Sequence, residues 1–301
     1  MRFRNLLIAN PARISIRNEQ LYIEQSETIR FPIEDIATVM LESRQIQIST
    51  AALEKLAVNG VTVFLCDEKH LPSAQLLAVN QFVRRRKLLL AQFELHKPLQ
   101  KRLWQTVVRA KIRNQAKCLQ LINREGASEL LDMADKVASG DSGNVEGSAA
   151  AFYFKRLFGS GFTRGEECPE NAGLNYGYAI MRGTVARNLV MHGLEPCLGI
   201  GHHSEINNFN LADDMMEPYR PLVDLYVASH LSGEHRDEIL PSQEKRELFD
   251  LLNVLVGQKE ARYRVSSSVD RMISSLASSI EEESNILEVP ELIGLEKAKD
   301  E

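Results

Sequence analysis

The sequence predicts an α+β protein: a small β-rich N-terminal domain followed by a larger all-α C-terminal domain. Apolar residues alternate with polar ones over the first quarter of the chain, and from about residue 79 they recur at three- and four-residue spacing. A connector carrying Pro72 separates the two patterns, and 301 residues exceed what one hydrophobic core usually fills. The expected division is 1–77 for the β-rich domain, 78–288 for the helical domain and 289–301 for an acidic tail read as mobile.

Ile14 and Ile16, then Leu21 and Ile23, alternate across Asn18-Glu19, the period-two pattern of a hairpin. Residues 36–41, then Ile46 and Ile48, continue the strand reading. Ser49 or Thr50 caps a short helix through Leu53 and Leu56 that stops at Gly60, and 61–66 is a further strand. Leu89 and Phe93, then Leu103, Val107, Ala110, Asn114, Lys117 and Leu121, mark two helices broken near Pro98. Later helices are expected at 145–158 between two glycines, 172–192 ending at Gly193, 211–230 after Asn210, 244–256 after Pro241, and 265–280.

No stretch approaches the roughly 20 apolar residues that span a bilayer, and Pro11 interrupts the apolar run behind the basic N-terminus, so neither membrane insertion nor a secretory signal is expected. Cys66, Cys118, Cys168 and Cys197 form no CxxC pair; they read as buried thiols in a reducing cytoplasm rather than as zinc ligands or disulfides. The net charge of −5 opposes a nucleic-acid partner, but its distribution does not. Arg84, Arg85, Arg86, Lys87, Lys97, Lys101, Arg102, Arg109, Lys111, Arg113, Lys117 and Arg124 form a basic stripe opposed by Glu94 alone, while acid collects at Glu281, Glu282 and Glu283.

The densest polar run is 199–221, from Gly199-Ile200-Gly201-His202-His203 to Asp213-Asp214-Met215-Met216-Glu217-Pro218-Tyr219-Arg220-Pro221. The glycines let an imidazole project from a loop, and Asp214 and Glu217, three apart, share a helix face. Such a pair is either a solvated face or, beside an imidazole, a divalent-cation site. Pro218 bends the helix where Glu217 would need aiming. Glu146, among the small residues 147–151, is either a third ligand or a first-turn acid complementing its helix dipole. Tyr176, Arg182 and Arg187 read as a DNA-facing wall or as ordinary packing and surface residues, and Arg220 as a partner of the carboxylates or a phosphate clamp.

Together, Asn144-Val145-Glu146-Gly147, Leu174-Asn175-Tyr176-Gly177-Tyr178 and the His202–Pro221 run resemble the CRISPR-associated adaptation integrases, and the resemblance covers nearly the whole chain. The wording of 212–221 is most similar to members from type II systems. The resemblance implies that Glu146, His202 and Glu217 bind the metal, with Asp214 completing the catalytic set; His203 and Asp213 are competing neighbours, and His202 fits the family's interval to Glu217 better. It further implies a homodimer formed through the β domain, and a larger complex with a small ferredoxin-like adaptation subunit. That complex would hold double-stranded DNA, the captured fragment whose 3'-hydroxyl ends attack the CRISPR repeat. A mixed carboxylate and imidazole site suits Mn2+ and tolerates Mg2+. The expected DNA contacts are Arg84, Arg85, Arg86, Lys87, Lys101, Arg102, Arg109, Lys111, Arg113, Arg182 and Arg220. Two other readings compete: an HD-type metal phosphohydrolase built on His202-His203 and Asp213-Asp214 with His192 or His230, and a non-catalytic DNA-binding scaffold.

Overall fold

The computed structural model describes residues 4–68, 72–76, 85–231 and 240–298, with the side chain of Arg85 outside that set. The chain divides into two compact units, Met1–Arg84 and Arg85–Glu301. The boundary read from sequence at residue 77 and the expected DNA contact Arg84 both lie outside the described residues.

The first unit contains β1 (Arg4–Ile8), β2 (Arg13–Arg17), β3 (Gln20–Glu24), β4 (Thr28–Pro32), β5 (Ile36–Leu41), β6 (Gln47–Ile48), α1 (Thr50–Val58), β7 (Thr62–Cys66) and β8 (Pro72–Leu76). They form two four-stranded sheets, ordered β1-β5-β7-β8 and β4-β3-β2-β6. β5 pairs in parallel with β1 and β7 and is buried along its whole length, which explains its unbroken apolar run Val39-Met40-Leu41. The β2–β3 hairpin turns at Asn18 and Glu19, both with positive φ (49° and 58°), the twist-matched geometry of a two-residue turn. Ser49, not Thr50, caps α1: its Oγ accepts from the Ala52 amide at 3.2 Å. Ile14, Leu21, Ile36, Val39, Leu56 and Val63 close the core.

The second unit is mostly helical: α2 (Arg85–Phe93), α3 (Lys97–Leu121), α4 (Ala127–Lys136), α5 (Val145–Phe158), α6 (Pro169–Met191), α7 (Asn210–Met216), α8 (Arg220–His230), α9 (Ser242–Asp250) and α10 (Val265–Glu281). α3 is its central element, burying Leu103, Val107, Cys118 and Leu119 completely and packing against α4, α5 and α8. Pro98 stands in the first turn of α3, where its missing amide costs nothing. The helix expected at 211–230 is broken: Pro218 and Pro221 withdraw two amides, and Glu217–Tyr219 forms a 3-10 turn between α7 and α8.

Three further features depart from the sequence reading. Where a helix was expected to run to residue 256, α9 ends at Asp250 and a hairpin follows, β9 (Leu255–Gln258) with β10 (Ala261–Arg264), so the helical unit carries one small sheet. Residues 289–298, read as part of a mobile tail, lie against β9: Gly257 and Glu291 exchange backbone hydrogen bonds at 2.9 and 2.7 Å, the Leu255 amide donates to Glu296 O, and Leu292 is buried. Among the cysteines, only Cys118 is fully buried; Cys66, Cys168 and Cys197 are half-buried, and none of the four is joined in a disulfide. Among the described residues no helix is long and apolar enough to cross a membrane.

Candidate metal centre

The site is assembled from α3, the start of α5, the 199–204 loop and the α7–α8 junction. Glu146 lies in the first turn of α5, where the Asp141 carboxylate accepts from the Val145 and Glu146 amides at 2.9 and 3.0 Å. That cap satisfies two orphan donors and fixes the backbone from which Glu146 projects. Its Oε1 meets Lys111 Nζ, and the same Nζ lies 2.5 Å from Glu217 Oε2. Glu146 and Glu217, seventy-one positions apart in the sequence, therefore converge on one positive charge.

Glu217 is 4% exposed. Burial alone would raise its carboxyl, but Arg220 and Lys111 overturn that and hold it at about 2. Arg220 Nε donates to Glu217 Oε1 at 2.8 Å, and its guanidinium sits 4.5 Å above the Tyr178 ring, so Arg220 serves the carboxylate rather than an open surface. Burial likewise opposes the Lys111 ammonium, yet Glu217 and Glu146 keep its pKa above the ordinary lysine value.

Asp214 departs from the expectation that it faces a cation with Glu217. Completely buried, it turns to the loop: Oδ2 accepts from the Ile200 and Gly201 amides at 2.6 and 2.9 Å, and Oδ1 from the His202 amide at 3.0 Å and His202 Nδ1 at 2.7 Å. A carboxylate on Nδ1 leaves the lone pair of the neutral imidazole on Nε2, the tautomer that can ligate. The hydrogen bond that His202 donates to Asp214 raises the His202 pKa, against the effect of burial. Trp104 meets the imidazole edge-on at 5.6 Å. Gly199 and Gly201 are required by crowding rather than by φ: a Cβ would lie 2.1 Å from His202 O at the first and 2.5 Å from the Trp104 ring at the second.

The neighbours that competed in the sequence have other partners. Asp213 accepts from Asn207 at 2.8 Å, and His203 approaches Gln100 at 3.5 Å. His192 bonds Asp270 and His230 stacks on Tyr226, which removes the extra histidines an HD-type site would need. Tyr176 is buried packing. Of the expected DNA contacts, Arg86, Lys101 and Arg102 are exposed; Lys87 is exposed and lies 3.6 Å from Glu281, and Arg113 is exposed and pairs with Asp135. Arg109 donates to Val137 O, and Arg182 covers the Phe209 ring at 5.4 Å. Lys111, expected among the DNA contacts, faces inward, 8% exposed at the side chain, because it shares the buried face of α3 with Val107, Asn114 and Cys118. That spacing was the signal that could have found it, since a lysine on a core face needs carboxylate partners. Gln92, Gln100 and Asn210 were missed too; their amides satisfy the carbonyls of Glu195, Leu198, Ile200, Cys197 and Ser204 and hold the loop.

The donor set fits a divalent cation in charge and type, two ionised carboxylates and an imidazole with Nε2 available. Glu217 Oε2 is a buried oxygen with no well-formed hydrogen bond, only the ammonium beside it. Among the described residues no three acidic, cysteine or histidine side chains stand at mutual ligating distance; the Lys111 ammonium lies between Glu146 and Glu217.

A β-rich unit followed by a helical unit in which two carboxylates meet at one lysine ammonium, with an imidazole oriented by a buried aspartate, defines the class: an α+β protein with a buried charged site. The family is narrower: the model of CRISPR associated protein Cas1 matches residues 6–238, and the chain belongs to that family. A relative from Neisseria meningitidis serogroup C (strain 8013), named CRISPR-associated endonuclease Cas1, is 40% identical over 99% of both chains. The fold is shared with a casposase bound to integration product (TM-score 0.74, 19% identity, 95% of this chain and 92% of that one). It is shared also with a chain of a Cas6-RT-Cas1–Cas2 complex (TM-score 0.70, 19% identity, 94% of this chain and 35% of that one).

Proposed function

We propose that the chain is a metal-dependent DNA endonuclease and integrase of CRISPR adaptation, joining the 3'-hydroxyl ends of short captured DNA to the CRISPR repeat by transesterification. The observation that carries it is the convergence of Glu146 and Glu217 on one cationic point beside an imidazole whose tautomer Asp214 sets. The endonuclease name of the 40% relative and the integration product in the casposase structure agree with it.

In this reading Glu146, Glu217 and His202 Nε2 hold the ion, Mn2+ or Mg2+. When bound, that ion would polarise a phosphoryl oxygen and acidify a water or a 3'-hydroxyl. Asp214 is a positioning residue, keeping the imidazole in its ligating tautomer. Arg220 restrains Glu217 Oε1 and leaves Oε2 toward the cation. Hydrolysis and joining need the same residues and differ in whether water or a DNA end attacks. Arg86, Lys87, Lys101, Arg102, Arg109, Arg113 and Arg182 supply contacts to the phosphates, largely without reading bases. The working form is a homodimer through the β-rich unit, in the cytoplasm, with a small ferredoxin-like adaptation subunit; the Cas6-RT-Cas1–Cas2 complex to which one structural neighbour belongs supports such a partner.

Strand joining on a labelled duplex tests this. Glu146→Ala, His202→Ala and Glu217→Gln are expected to lower the rate by at least about a hundredfold, the low end for deleting an electrostatic contributor to a transition state. Glutamine is chosen at 217 because its amide oxygen keeps a buried hydrogen-bond acceptor for Lys111 and Arg220 where alanine would leave none. A folded triple variant that joins DNA at the wild-type rate overturns the proposal.

A further inference from the structure

One buried polar side chain outside the ligand set is shared by three segments of the chain. Asn114, 4% exposed, donates through Nδ2 to Pro218 O at 2.8 Å and Pro290 O at 3.1 Å, and its Oδ1 accepts from the Leu292 amide at 3.0 Å. Each contact has a consequence for the site. Asn114 follows Lys111 by three residues on the same face of α3, and Pro218 follows Glu217 directly, so the bracket spans the two elements that carry the Lys111–Glu217 pair. The carbonyl it holds belongs to a 3-10 turn, in which hydrogen-bond geometry is poorer than in an α-helix and an outside restraint matters more.

The other two partners lie in the segment 288–298, a strap with a firm attachment of its own. Besides the exchange between Gly257 and Glu291, the Leu255 amide donates to Glu296 O at 2.8 Å, the Ala298 amide to Asn253 O at 3.1 Å, and Gln258 Nε2 to Glu288 O at 2.9 Å. Leu292 is 4% exposed, so its side chain anchors the residue whose amide Asn114 receives. An apolar residue of the same size would fill this space, but it would leave the Pro218 and Pro290 carbonyls and the Leu292 amide buried and unpaired.

We propose that the strap 288–298 is a positioning device for the active site, which sets the aim of Glu217 through Asn114 and Pro218. The proposal rests on the reading of Glu217 as a metal ligand. It concerns the full chain, and point variants test it without removing the strap. Leu292→Ala loosens the strap by removing its buried side chain, Asn114→Leu removes the bracket, and Arg262→Ala cuts the exposed Arg262–Glu296 pair (3.4 Å).

The readouts are backbone amide exchange over residues 217–222, Mn2+ affinity by electron paramagnetic resonance, and thermal unfolding. Leu292→Ala and Asn114→Leu are expected to speed exchange in that window and to weaken Mn2+ binding by about tenfold, the low end for groups that orient a ligand. Arg262→Ala should leave both at wild-type values. A purely structural strap would lower the melting temperature while leaving local exchange and Mn2+ affinity unchanged, and that result for Leu292→Ala overturns the proposal even if Asn114→Leu fails to fold. Wild-type protein that binds no Mn2+ defeats the functional reading instead, and the exchange arm then decides the strap by itself.

Discussion

Behind Glu217, a carboxyl that takes no part in the proposed chemistry sets a second electrostatic balance. Asp224 is 1% exposed and accepts a hydrogen bond from the Tyr178 hydroxyl, whose ring lies beneath Arg220. Burial pushes the Asp224 carboxyl up from its ordinary 3.8 to about 7, against the pull of the Tyr178 and Tyr153 hydroxyls and the Arg220 and Lys111 charges. The folded chain therefore keeps this proton between pH 3.8 and about 7 while the unfolded chain releases it, so the group costs stability as pH rises through that window and costs a constant amount above it. Asp224→Asn keeps the shape and an acceptor for Tyr178 but cannot ionise. Its melting temperature, compared with wild type, should climb by a few degrees between pH 4.5 and pH 7.5. A difference between the two proteins that stays flat across that range would mean that Asp224 is ionised in the fold at both ends.

At the scale of elements, α6 approaches α8 and the residue that follows it closely at two of its glycines. A Cβ on Gly173 would lie 2.4 Å from Leu231 Cδ1, and one on Gly177 would lie 2.4 Å from Val223 Cγ1. Gly177→Ala should therefore destabilise the chain by about 1–3 kcal/mol, the usual cost of overpacking, read as a lower denaturant midpoint; an unchanged midpoint would mean that the helices part freely. Element existence was legible where a local signal marked both ends, as for α5 between Gly143 and Gly159. It failed where the signal was not local. Leu255 and Val256 continue the apolar period of α9, and the hairpin after them turns on Lys259 and Glu260 (φ 43° and 29°), which carry none of the Asn-Gly or Asp-Gly chemistry that marks such a turn. The strap has no periodicity because backbone bonds to β9 and one asparagine hold it. Within the site, Glu146, His202 and Glu217 stand out by type and order, whereas Asp214 as an imidazole orienter and Lys111 as an inward charge depend on tertiary direction that spacing alone does not carry.

Across the whole molecule, a net charge of −5 and a basic stripe coexist because charges act over short distances in salt. At physiological ionic strength the Debye length is about 8 Å, so remote acids do little to cancel Arg86, Lys101 and Arg102, all exposed on α2 and α3. Each phosphate neutralised by such a residue steepens the decline of log affinity with log salt by roughly 0.9. Lys111 belongs to the same stripe in sequence but is buried between two carboxylates, so it should contribute nothing to that slope. Binding of a fluorescent duplex measured from about 50 to 200 mM salt separates the two kinds of lysine. Lys101→Gln with Arg102→Gln should flatten the slope by up to about two contacts' worth and retain Mn2+ binding. Lys111→Met should keep the wild-type slope, while in the metal-free protein Glu146 and Glu217 then repel with no ammonium between them. If Lys111→Met flattened the slope instead, the ammonium would be reaching DNA, and the cationic point at the centre of the site would have to be reassigned.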